Sequence, residues 1–170
     1  LSLERFELSV LEASRHFYDI SVDDLAYWRT RGLRNGRWLP PLADSAGALA
    51  DGVPSYDIGF IGNLFMPNNV EAVEWLVKRV LPQVREQLPG ATALIAGSKP
   101  VASLHALIGA DPLTELRADV SDPAAVFRAA RVLVNPMLHG SGVALKSRDM
   151  LGSGRDLVST SQGVTGLPPL

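Results

Sequence analysis

The chain has 170 residues, of which 46% are hydrophobic and 20% charged, so it can bury the core of one domain or slightly more, which excludes disorder as its main state. With 16 basic residues against 18 acidic ones, a formal charge of -2, it carries no electrostatic ground for nucleic acid as a partner. The absence of cysteine excludes disulfides, thiolate zinc sites and iron–sulfur clusters; His16, His105 and His139 share no ligand spacing, so no metal is expected, and no apolar run approaches the ~18 residues of a membrane span.

Leu3, Phe6, Leu8, Val10 and Leu11 predict a helix, followed by a short strand at Phe17 to Ile20. Ser21-Val-Asp-Asp24 is a cap signal: the hydroxyl can take an early helix amide, and Asp24 suits the positive first turn. The helix it opens, through Leu25, Ala26 and Trp28, should end near Gly32, and a strand at Arg37-Trp-Leu should stop at Pro40-Pro41. Residues 1–43 are too few for a domain and read as the end of one. Small residues, Gly and Pro fill the next stretch, so residues 44–55 are expected to be a linker.

From Tyr56 apolar runs alternate with helical stretches. Ile58 to Ile61 predicts a buried strand, and Val70, Val73, Val77, Val80 and Val84 form a helical stripe that Pro82 should kink or end. Strands are expected at Thr92 to Ala96, Leu113 to Val120, Val132 to Asn135 and Leu157 to Ser159, with helices at Val101 to Ile108, Ala124 to Ala130 and Val143 to Leu151. Short connections between alternating strands and helices predict an α/β fold, a Rossmann-like parallel sheet with helices on both faces, over residues 56–170. Trp28, Trp38 and Trp75 fall in patterned elements and are expected in the core.

Ligands of an open parallel sheet bind beyond the carboxyl ends of its strands. That rule selects the loops Gly62-Asn63, Gly97-Ser98-Lys99, Val120-Ser121-Asp122, Pro136 to Gly142 and Thr160 to Gly163. The most informative is His139-Gly140-Ser141-Gly142-Val143, because a helix follows it at once and helix-start amides attract anions. Lys146 would add a full charge to a bound phosphate, and Asp149, expected on the same face, would accept hydrogen bonds from ribose. The bland alternative is a turn with a surface Lys146–Asp149 pair. His139 can hydrogen-bond a sugar or phosphate but has no carboxylate at close spacing for acid–base work. A dinucleotide fingerprint is absent: no G-x-G-x-x-G follows the first strand.

Tyr56-Asp-Ile-Gly-Phe-Ile-Gly-Asn63, Pro67-Asn68, Leu81-Pro, Ala96-Gly97, Asp122, Pro136, Gly140-Ser-Gly-Val143, Lys146, Val158-Ser-Thr160, Gly163 and Gly166-Leu167 resemble the carboxyl-terminal domain of group 1 (family 4) retaining glycosyltransferases of the GT-B fold. The resemblance covers residues 56–170, and residues 1–43 are similar to the end of that family's acceptor domain. It implies a nucleotide diphosphate sugar as donor substrate and no cofactor. It further implies a glycan or lipid-linked acceptor bound through the other domain, and a cytoplasmic parent protein that touches membranes peripherally. Gly62 and Gly97 match the glycines after the family's first two strands, Gly140 to Val143 its diphosphate loop, and Lys146 and Asp149 its lysine and the glutamate three residues on. Asn63 and Asn68 stand where many members carry arginine and lysine. Ser141 stands about where the first acidic residue would be, and Ser147-Arg148 and Asp156 replace apolar residues or proline. The start at Leu1 and the end at Leu170 are expected to be cuts in a longer enzyme, inactive as a piece. The alternative is a non-catalytic nucleotide-sugar-binding or protein-interaction module on the same fold.

Overall fold

The computed structural model describes residues 2–42 and 53–169, so residues 44–52 of the expected linker lie outside the described residues. Among the described residues no helix is long and apolar enough to cross a membrane. The amino-terminal piece is α1 (Leu3–Ala13), β1 (Phe17–Asp19), α2 (Val22–Thr30) and β2 (Gly36–Trp38), with β1 and β2 paired in parallel. Ser21 caps α2 as its sequence suggests, its Oγ accepting the Asp24 amide at 3.0 Å. Among the described residues of this piece the buried hydrophobics are Leu25 and Leu33, and α1 buries none, so Trp38 stays 38% exposed rather than entering a core.

The remainder builds one five-stranded parallel sheet in the order β5-β4-β3-β6-β7. Its strands are β3 (Tyr56–Asn63), β4 (Ala93–Ser98), β5 (Thr114–Ala118), β6 (Ala130–Asn135) and β7 (Asp156–Ser159). Helices α3 (Pro67–Trp75), α4 (Leu81–Gln87) and α5 (Ala102–Gly109) cover one face, α6 (Pro123–Ala129) and α7 (Leu145–Gly152) the other. Period-two alternation sorts the strands: Ile58, Phe60, Ala93, Ile95 and Val134 enter the α3–α5 core, while Leu94, Ala96 and Leu133 meet the α6–α7 side. The strand order reverses between β3 and β6, which opens a crevice at their carboxyl ends.

Several boundaries shift from the sequence reading, among them β5, which spans Thr114–Ala118 rather than Leu113 to Val120, and two of the differences have an identifiable physical cause. Pro82 does not end the valine-striped helix; it sits in the first turn of α4, where its missing N–H costs little. A single π turn, Leu76–Val80, widens the helix just before it, and the Leu81 N–H reaches back to the Leu76 carbonyl. The helix expected from Val143 begins instead at Leu145, because Gly142 holds φ +76° and the Ala144 amide is drawn away to the Thr165 carbonyl at 3.0 Å.

The distribution of buried residues predicts two folding behaviours. A shortened chain of residues 53–170 should unfold in one cooperative denaturant transition, whereas residues 1–43 alone should show none, having too little core to offset chain entropy. A sigmoidal transition from the short piece would overturn this division.

Candidate functional site

The carboxyl ends of β3, β4 and β5 are laced together by backbone bonds. The Leu64 N–H donates to the Ser98 carbonyl at 2.8 Å, and the Asp119 N–H donates to the Gly97 carbonyl at 2.8 Å. The Lys99 N–H donates to the Asp119 carboxylate at 3.0 Å. Gly97 holds φ +154° with Gly62 directly opposite it in the sheet register. These bonds tie the three strand ends together as a floor next to the crevice, with Val120 packed on the cluster of Leu94, Ala96 and Val126.

Beside this floor lies a cavity of about 280 Å³ lined by Gly140 to Lys146 together with Asn68, Asn69, Asn135, Gln162 and Gly163. Among the described residues no side chain caps the α7 amino terminus, whose positive end opens at this cavity through Ala144, Leu145 and Lys146, although the Leu145 N–H is already taken by the Val143 carbonyl at 2.8 Å. The loop is pinned from outside: Gln162 Nε2 donates to the Gly140 carbonyl at 3.1 Å, and the Thr160 hydroxyl donates to the Met137 carbonyl. Asn135, buried at the end of β6, donates through Nδ2 to Ser147 Oγ at 2.8 Å and to the Gly163 carbonyl at 3.0 Å. Its Oδ1 has no donor among the described residues.

Lys146, the second residue of α7, turns inward. Its Nζ donates to Asn69 Oδ1 at 2.7 Å and stands 4.4 Å from the centre of the Phe60 ring. Gly62 makes the room, since a Cβ there would lie 3.0 Å from Nζ. Asn69 is fixed in turn by donating to the Asn63 carbonyl at 2.9 Å. No carboxylate pairs with Lys146 among the described residues, and burial alone pushes its pKa down to about 8.

The other sequence candidates go elsewhere. Lys146 and Asp149 lie one turn apart on α7, but their polar ends go to different partners: the Lys146 ammonium to Asn69 and the Asp149 carboxylate to Arg148. Asp149 lines a second cavity of about 310 Å³ with Asp122, Phe127, Arg148 and Ser153. Its carboxylate accepts from the Arg148 guanidinium, so the surface Lys146–Asp149 pair is not formed. His139 is solvent-exposed with Nε2 3.7 Å from Glu71 Oε1. Asn63 Oδ1 accepts the Phe65 amide at 3.1 Å, which is turn chemistry. Gly97, Ser98, Lys99 and Val120 line neither cavity. The neutral pair at Asn68-Asn69 was readable only as a turn. That Asn69 holds Lys146 depends on a contact across 77 residues, for which the sequence carries no local signal.

Residues 55–168, about two-thirds of the chain, match the family "Glycosyl transferases group 1", and the chain belongs to that family. It is 33% identical over 114 residues to an uncharacterized 44.6 kDa protein in the cps region of Klebsiella pneumoniae, covering 63% of this chain and 29% of that one. Among solved structures, TarM superposes with a TM-score of 0.71 at 14% identity, over 92% of this chain and 31% of that chain. The pneumococcal O-GlcNAc transferase GtfA, in complex with UDP and GlcNAc, gives 0.65 at 14% identity over 92% and 32%. Anabaena Alr3699/HepE, in complex with UDP and glucose, gives 0.60 at 14% identity over 95% and 50%. These likenesses show the shared GT-B glycosyltransferase fold, of which this chain is the Rossmann-like half preceded by a small additional piece. The chain spans about a third or less of the Klebsiella relative, TarM and GtfA.

Proposed function

We propose that this chain is the donor-binding part of a glycosyltransferase and holds a nucleoside diphosphate sugar in the cavity at the start of α7. The observation that carries the reading is Lys146: a largely buried ammonium with no carboxylate partner, beside an uncapped helix start and a loop of three consecutive small residues, Gly140-Ser-Gly142. Such a site is short of one anion. The loop amides and Lys146 would take the diphosphate and stabilise the charge that develops on it as the sugar departs. The second cavity, a turn further along α7, would take the nucleoside, with Asp149 available to its ribose hydroxyls once Arg148 yields. Both UDP-bound relatives and the capsule-region relative support this donor and a polysaccharide or cell-surface acceptor. The acceptor, glycan or lipid-linked, would be bound by another part of a cytoplasmic protein that meets the membrane peripherally.

The rival reading, a nucleotide-sugar-binding module without turnover, is favoured by one observation: Asp149 is engaged by Arg148 rather than free beside Lys146. A thermal-shift screen with UDP, GDP and ADP and their sugar conjugates tests the shared part. A ligand at 100 times its dissociation constant should add about 2.7 kcal/mol of stability. No shift with any of the three nucleotides would overturn donor binding, and sugar transfer by the full-length parent would remove the rival.

A further inference from the structure

Gly166 is buried and holds φ +76°, a conformation that suits glycine, and both of its backbone polar groups are turned to the start of α2. Its N–H donates to Asp23 Oδ2 at 2.8 Å, across 143 residues of chain. Its carbonyl accepts the Val22 N–H at 3.1 Å. The residue is wedged, because a Cβ at this position would stand 3.1 Å from Ser21 Oγ on one side and 3.1 Å from Val143 Cγ2 on the other. One residue back, the Thr165 carbonyl accepts the Ala144 N–H at 3.0 Å, immediately before α7. Gln162 and Gly163 of the same strap line the cavity itself. A continuous run of hydrogen bonds therefore joins α2 to the loop that forms the proposed anion site.

We propose that Asp23 is a positioning residue for that site: through Gly166 and Thr165 it fixes Ala144 and the Gly140 to Val143 loop, although it touches no ligand itself. The carboxylate suits its place, since the first turn of α2 favours negative charge and its bond to the Gly166 N–H is partly buried. The amino-terminal piece thereby belongs functionally to the donor half rather than being a passive remnant beside it. The proposal rests on the donor reading above, and its test separates the two.

UDP is titrated calorimetrically into the 170-residue chain and its Asp23→Ala and Asp23→Asn variants, well below their unfolding temperatures, and amide hydrogen exchange is followed at Ala144 and Gly166. Asp23→Ala should weaken UDP binding by up to about tenfold, the limit in which binding must re-order the loosened loop at the full cost of one hydrogen bond to a charged group. Asp23→Asn should restore most of the affinity, because its amide oxygen still accepts the Gly166 N–H. Exchange at Ala144 should accelerate in Asp23→Ala while that of the central strands does not. A merely structural Asp23 would lower the melting temperature and leave the affinity and Ala144 protection unchanged, which would overturn the proposal. Failure of the wild-type chain to bind UDP would count against the donor reading for that nucleotide, and unchanged Ala144 protection would still overturn the Asp23 clasp.

Discussion

Replacing Lys146 by methionine is expected to weaken UDP binding by about ten- to hundredfold, the equivalent of about 1.5 to 3 kcal/mol for a charge-assisted hydrogen bond to phosphate. The same residue should make binding pH-dependent. Burial lowers its pKa from 10.5 to about 8, so near pH 8 roughly half of the empty sites hold a neutral amine. A diphosphate beside Nζ favours the ammonium, and binding at that pH should take up about half a proton. As pH rises further the affinity should fall. The sign for stability is the reverse of the affinity trend: the unfolded chain binds the proton more tightly, so the empty protein gains stability between about pH 8 and 10.5. That gain is on the order of 3 kcal/mol at most, and below pH 8 it is absent. Lys146→Met should lose this rise. Calorimetry in two buffers of different ionisation enthalpy measures the proton directly; zero uptake at pH 8 in the wild type would sink the argument.

What sequence reasoning recovered follows the physics of burial. Strands buried on both faces, such as Leu94-Ile-Ala96, are written as continuous apolar runs, and the helices between them carry three-and-four spacing. Cap chemistry is local, so Ser21 was found where its hydroxyl acts. The π turn was hidden because Val77 and Val80 keep a helical stripe through it, and one extra residue per turn leaves no mark on such a pattern. The start of α7 was placed two residues early because Val143 and Ala144 are apolar, while what stops the helix is a bond from Ala144 to a residue 21 positions later. The family resemblance selected Lys146 and the Gly140 to Val143 loop, and both line the cavity. Asn69, Asn135 and Asp23 escaped because each acts on a residue distant in the chain, and a lone polar side chain says nothing of where its partner lies.

The close approach of β3 and β4 beside the site allows a sharp structural test at Gly97. In Gly97→Ala the added Cβ would stand 1.7 Å from the Gly62 carbonyl oxygen and 3.1 Å from Leu64 Cγ, on a backbone at φ +154°. The first clash is with backbone, which has no rotamer to change, so β3 and β4 must separate where Gly62 pairs with Gly97 and Asn63 with Ser98. Strain from φ and overpacking together should cost about 3 to 5 kcal/mol, a large share of a domain's total stability of about 5 to 15 kcal/mol. Gly142→Ala isolates the backbone contribution: φ there is +76°, and a Cβ would meet nothing within 4 Å, so about 1 kcal/mol is expected. Urea denaturation of both variants measures the difference, and equal losses of stability would show that the β3–β4 contact is not as tight as described. Because Gly62 also makes room for the Lys146 ammonium, folded Gly97→Ala protein should bind UDP more weakly as well, whereas Gly142→Ala should alter binding only through the loop it belongs to.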